Sequence, residues 1–331
     1  MTDSQNNPCP VCGSLETRKG LTASGFDHPE QTYTLLQCLR CSLVFSPPEP
    51  ELSLKGSYSK EYYGSEQKKF VATIEKGTKL LNFFLARKIF RQLRRIAPDK
   101  NQSLKILDIG CGRGHLLNHF RNLGCVCHGV ERLGAFPTEI RNGIHFYDLP
   151  LKDIAFPARS FDAVVLWHVL EHLTDPLSVL QEVERVLKPE GTLWIAVPNF
   201  GSFQSKLFKK HWFHLDLPRH RWHFTRATLQ ALLVKTGFHP FWVSTFSFEQ
   251  NIYGFIQSAM NLLSFRESPQ VFYECLKHGS EKRKVVPFIK GSITALFLSL
   301  FALLELIVSS FLNRGAVLIF TCGKSSNPKT K

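Results

Sequence analysis

The stretch Lys105-Ile-Leu-Asp108-Ile-Gly110-Cys-Gly112-Arg-Gly114 constrains this chain more than any other. A run with strand character enters a turn carrying three glycines, and helical spacing continues to Asn122. Glycines so placed let backbone approach a ligand closely and leave the first amides of the helix available to it. Cys127–Val130, Phe161–Leu166 and Thr192–Val197 read as further strands, and Gly112–Asn122 and Leu177–Leu187 as helices between them. That alternation predicts an α/β fold, doubly wound around a mostly parallel sheet with helices on both faces. Further on, Thr228–Thr236 reads as a helix, and Pro240–Phe246 and Ala316–Thr321 as strands.

Glu131 follows the second strand, where an acid can accept both hydroxyls of a ribose. Such a ribose is common to NAD and S-adenosylmethionine, so these residues leave the two open. The ordered motifs separate them. Asp108-x-Gly110-x-Gly112-x-Gly114 and Gly129-Val-Glu131 come first, followed by Ser160-Phe-Asp162-Ala-Val-Val-Leu-Trp167-His168-Val-Leu-Glu171-His172. Leu187-Lys-Pro-Glu-Gly191 and Val197-Pro198-Asn199 complete the set. Together they resemble the class I S-adenosylmethionine-dependent methyltransferases over about residues 103–200. The resemblance implies a Rossmann-like, seven-stranded sheet whose last strand is antiparallel, with S-adenosylmethionine as cofactor. Asp108 and the turn Gly110, Gly112 and Gly114 would then lie near its methionine end and Glu131 on its ribose. The turn after Phe146 would lie beside the adenine, where Asp148 and Asp153 compete and Asp148 is taken as the contact.

Cys9-Pro-Val-Cys12 and Cys38-Leu-Arg-Cys41 are paired knuckles, each able to point two thiolates at one ion. Four thiolates in a tetrahedron suit a structural Zn²⁺, with iron the lesser alternative. Nine cysteines without a secretory leader also point to a reducing, cytoplasmic setting. The cysteine domain with its Ser46-Pro-Pro-Glu-Pro exit, Glu61-Tyr-Tyr63-Gly, and Leu215-Asp216-Leu-Pro218-Arg219-His220 resemble a bacterial subgroup of these methyltransferases. Its members accompany cell-surface glycan or lipid biosynthesis.

His211 to His223 is dense in histidine, aromatic residues and charge. It reads either as a loop packing its rings on the domain edge or as a lid carrying a proton acceptor. Oxygen and carbon acceptors need a base, and His168 and His220 are the candidates. No acid or cysteine completes a recognised ligand spacing there, so a second metal site ranks below these readings. His168-Val-Leu-Glu171-His172 also matches a metalloprotease signature that would put both histidines on one helical face. The buried strand before it and the glycine turn upstream account for these residues better.

The boundaries follow. Residues 1–50 form the zinc-knuckle domain, 51–102 a linker with a basic helix (66–97), and 103–250 the core. Residues 251–314 form a hydrophobic helical insertion, broken near Pro269 and Pro287; 315–323 return the last strand and 324–331 a disordered tail. Within the insertion Ile293–Leu312 is apolar except at Thr294, Ser299, Glu305, Ser309 and Ser310, which share one arc of a helical projection. Length alone would allow a membrane span, but Glu305 and the returning strand favour in-plane contact with an anionic membrane. A homodimer interface or burial on the domain are the other uses. The net charge of +14 asks for an anionic partner, and basic residues crowd Gln67–Lys105 and flank the apolar run. The expectation is therefore methyl transfer to O or C of a sugar, lipid or isoprenoid-like acceptor by a cytoplasmic protein, peripheral at the inner face of the membrane. An RNA methyltransferase and a non-catalytic cofactor-binding scaffold are the rivals; nucleic acid ranks lower because the Asn-Pro-Pro-Tyr type of signature is missing after Leu166.

Overall fold

The computed structural model describes residues 8–9, 11–26, 30–47, 72–96, 101–131, 143–263 and 285–325, with side chains from 76 onward in the first long helix and from 293 in the last. The motif at Glu61–Gly64, the break expected at Pro269, and the basic residues 277–284 lie outside the described residues.

Three short strands open the chain: β1 (Thr17–Ser24), β2 (Thr32–Cys38) and β3 (Val44–Phe45). Helix α1 (Ala72–Ile96) follows, then β4 (Lys105–Ile109), α2 (His115–Asn122), β5 (Val126–Val130), β6 (Ile144–Tyr147) and β7 (Phe161–Trp167). After them come α3 (Pro176–Val186), β8 (Leu187–Pro198), α4 (Phe203–Phe208), β9 (Trp222–His223), α5 (Arg226–Lys235) and β10 (Phe238–Ser244). Two long helices, α6 (Phe248–Leu263) and α7 (Val285–Phe311), precede the last strand, β11 (Val317–Lys324).

Seven strands make the main sheet, in the order β10-β11-β8-β7-β4-β5-β6. β4 pairs in parallel with β5 and β7, and β8 in parallel with β7. β11 enters antiparallel between β8 and β10, as the resemblance implies. Its strands are apolar on both faces because both are covered. Leu107, Val164, Leu166, Leu193 and Ile195 face α3 and α5. Their alternate neighbours Ile106, Ala163, Val165 and Trp194 face Ala86, Ile89 and Leu93 of α1 and Leu117 and Phe120 of α2. Asp175 caps α3 by accepting from the Ser178 amide, with Pro176 as its first residue. Successive strands run outward from β4 to β6 and then from β7 to β8, so the order reverses between β4 and β7. A crevice at the carboxyl ends of strands belongs at such a reversal.

A second sheet, β1-β2-β3-β9, joins the cysteine domain to the histidine-rich segment. β3 pairs antiparallel with β9, Val44 opposite His223 and Phe45 opposite Trp222. Cys9, Val11, Leu43 and Phe45 lie in the same apolar cluster as the core strands. The cysteine segment is thus welded to the core rather than tethered to it.

Helix α7 runs through Pro287 instead of breaking there. Proline is accepted because it sits in the first turn, where its missing N–H has no helical partner to lose. Leu298, Ala302 and Leu306 face the protein, as do Glu305 and Ser309. Leu296, Leu300, Leu304, Ile307 and Phe311 point outward, Phe311 with 86% of its surface exposed.

Candidate active site at the glycine turn and the histidine cluster

β4 ends in a turn that only glycine can make comfortably. Gly110, Gly112 and Gly114 all have positive φ, at 70°, 52° and 73°. At Gly110 space matters as well, since a Cβ there would lie 2.3 Å from Cγ2 of Val169. The Gly110 amide donates to the Val130 carbonyl at 2.7 Å, which holds the turn against the end of β5. The Gly112 amide donates to Oε2 of Glu131 at 2.8 Å, so turn and acid form one unit. Gly129 in β5 permits this, because a Cβ there would be 2.7 Å from Cys111 Sγ and Leu117 Cδ1. Asp108 lies beneath the turn with 3% exposure. Burial, and then the charge of Glu131, hold its carboxyl well above the usual carboxylate range. Asp148 stands one residue beyond β6, exposed on the same rim, and Asp153 is exposed in the turn Leu151–Asp153.

The neighbouring strand β7 delivers His168 with φ 57°. The helical face that the metalloprotease signature would need for His168 and His172 does not form; Leu170–His172 is a single 3-10 turn. His168 Nδ1 lies 3.3 Å from Oε1 of Glu171, which is fully buried. A carboxylate only accepts, so Nδ1 donates and the lone pair of the neutral ring sits on Nε2, which is buried without a partner. Burial would push Glu171 up, but the His168 hydrogen bond and the neighbouring histidines outweigh it and bring its carboxyl to about 2.

The histidine-rich segment closes over this turn. Trp212, Leu215 and Leu217 pack on Ala23, Leu35 and Val44 of the first sheet. His214, His220 and His223 are buried and turn toward Glu171 and His172. Of the two expected readings, the packing of rings on the domain edge describes Trp212. Burial lowers His214 and His223 to about 3, so both are neutral near pH 7. Arg219 grips Asp216 through Nε and Nη2, and the Arg221 amide donates to the Glu171 carbonyl at 2.8 Å. Sequence reasoning passed over Glu171 as a site residue, although its position between His168 and His172 was the signal available.

The four cysteines also converge. Cys9 Sγ and Cys41 Sγ are 3.3 Å apart, Cys12 Sγ and Cys38 Sγ 3.5 Å, and all four lie within 4.8 Å of one another. Burial pushes the Cys38 thiol up, but the amides of Cys41 and Arg40 outweigh it and bring the thiol to about 7. This is a donor set compatible with a zinc-ribbon-like centre.

Residues 81–240 match a family model described as a methyltransferase domain. A ubiquinone biosynthesis O-methyltransferase of Haemophilus ducreyi is 37% identical over 108 residues, 29% of this chain and 45% of that protein. One from Cereibacter sphaeroides is 31% identical over 159 residues, 44% of this chain and 64% of that protein. The chain thus spans less than two thirds of the length of these relatives. The crystal structure of a Galdieria sulphuraria protein, described as a proposed sarcosine dimethylglycine methyltransferase, shares the fold. It aligns at a TM-score of 0.50 and 12% identity, covering 84% of this chain and 98% of that one.

Proposed function

We propose that this protein, whose residues 81–240 match a model described as a methyltransferase domain, moves a methyl group from S-adenosylmethionine to an oxygen of an apolar, isoprenoid-like acceptor. The observation that carries this reading is the hydrogen bond from Gly112 to Glu131, which fixes a glycine turn and an acid at the strand reversal. Bound there, S-adenosylmethionine supplies an electrophilic methyl group on a sulfonium centre. The turn Gly110–Gly114 and Asp108 would hold its amino-acid end, Glu131 the ribose and Asp148 the adenine edge.

His168 is our choice of base, since its partnerless Nε2 carries the lone pair and Glu171 behind it steadies the ring once it gains a proton. The acceptor hydroxyl's proton would pass to that nitrogen. His220, the other histidine considered, hydrogen-bonds through Nδ1 to the His214 carbonyl at 2.8 Å and packs against His172. Oxygen as the acceptor atom is supported by the relatives, which are O-methyltransferases. The four sulfurs would hold one structural Zn²⁺.

An apolar acceptor is supported by α7, which turns its polar residues inward and its large apolar ones outward. Glu305 accepts from Gln204 at 2.8 Å, while Leu296 is 76% exposed. The stretch Ile293–Phe311 has the length and composition of a membrane span. Exposed Lys206, Lys209 and Lys210 follow Gln204 on the neighbouring segment. This face would rest in the head-group layer of an anionic cytoplasmic membrane.

The test is radiolabel transfer. The purified protein is incubated with methyl-labelled S-adenosylmethionine and detergent-dispersed polyprenylated phenols. Label should enter the organic phase, and His168→Ala should slow it about 10²–10⁴-fold while cofactor affinity stays within twofold of the parent, roughly 0.4 kcal/mol. Label confined to added RNA or water-soluble glycan would overturn the acceptor class.

A further inference from the structure

We propose that Glu171, His172 and His220 form a second metal site, built for one divalent transition-metal ion. One ligand atom from each lies within 4.8 Å of the other two, and the His172 and His220 rings are 4.6 Å apart. A tetrahedral ion with bonds of about 2.1 Å separates its ligands by about 3.4 Å, so modest side-chain shifts close the set.

Three features distinguish this cluster from chance proximity. First, both imidazoles are oriented from behind. His172 Nδ1 lies 3.2 Å from the Arg219 carbonyl and His220 Nδ1 2.8 Å from the His214 carbonyl. A carbonyl only accepts, so both Nδ1 atoms donate and each neutral ring carries its lone pair on Nε2. A metal-binding histidine is usually fixed in this way by a backbone acceptor on its other nitrogen. Second, Oε2 of Glu171 is buried with no hydrogen-bond partner, while Oε1 accepts a hydrogen bond from His168 Nδ1. Nothing in the described residues satisfies that oxygen, whereas a cation beside it would. Third, the two ligand-bearing segments are locked together by the Arg221 amide on the Glu171 carbonyl. Asp216 is the competing partner for His220, but its Oδ2 is 3.6 Å from Nε2, beyond a hydrogen bond, and both its oxygens accept from Arg219.

Two nitrogens and one carboxylate oxygen select Zn²⁺, Fe²⁺, Mn²⁺ or Co²⁺ over the hard alkaline-earth ions. Three protein ligands leave at least one coordination position open, unlike the four-cysteine centre. The ion would share a carboxylate with His168, so its occupancy would be felt at the residue we assign as base. The site does not depend on that assignment, and its test reads metal rather than methyl transfer.

Cobalt(II) is titrated into the full-length protein with its cysteine centre left loaded, and absorption is followed. One equivalent should bind with visible d–d bands and without the thiolate charge-transfer band that sulfur ligation gives. His172→Gln and His220→Gln should each lose that equivalent while keeping the parent's circular dichroism. Glu171→Gln, close in size, serves if either histidine variant fails to fold, and should lose it too. A parent that takes up no cobalt with this spectrum overturns the proposal, as do folded variants that titrate like the parent.

Discussion

At the scale of single residues, the carboxyl of Asp108 carries a pH dependence. Burial and the Glu131 charge hold it well above 3.8, so the folded chain prefers the protonated acid. The unfolded chain gives up that proton first as pH rises. Stability from this residue is therefore complete below the ordinary carboxylate value and declines as pH climbs through the raised folded one. Asp108→Asn removes the titration. In urea unfolding without ligand, the stability difference, variant minus parent, should grow as pH rises above the ordinary carboxylate range. A difference that stays flat would show that Asp108 ionises in the folded chain at its ordinary pH. The acids Asp108 and Glu131 were legible in the sequence because each ends a strand beside the glycine turn. The burial of Asp108 was not, since it depends on the pairing of β4 between β5 and β7, which is nonlocal.

At the scale of elements, the pairing of β3 with β9 makes the cysteine centre part of the site. Fifty N-terminal residues with two knuckles read as a separate module, and the sequence offers no reason to join them to a histidine-rich loop. The joint is two residues long, Trp222 and His223, and rests on a nonlocal pairing that no period reveals. The parallel strands, by contrast, were plain as apolar runs between amphipathic helices. β6 was hidden by its four-residue length and by polar His145 and Tyr147. Metal loss should therefore spread. Cys38→Ser is expected to release zinc, and hydrogen exchange should quicken at the Trp222 and His223 amides as well as in β1 and β2. Methyl transfer should fall in parallel. A zinc-free variant with unchanged protection at 222–223 would return the domain to the status of an independent module.

At the scale of the whole molecule, α7 is built with its apolar side out. Helical periodicity revealed one polar arc but not which way it faced; Gln204, Asn251 and Ser309 show that it faces the protein. Flotation with anionic liposomes should carry the protein up, with partial release at high salt, and Leu300→Glu with Leu304→Glu should abolish it. Retention in the soluble fraction at low salt would make this face a subunit interface instead. The proposed activity rests on cofactor capture by the glycine turn and Glu131. Isothermal titration calorimetry with S-adenosylmethionine, on the parent and on Glu131→Ala, tests it most directly. The parent should bind S-adenosylmethionine and prefer it to NAD, and the variant should lose about 1.5–3 kcal/mol, the scale of hydrogen bonds to a charged group. Equal affinity in parent and variant, or a preference for NAD, would contradict it.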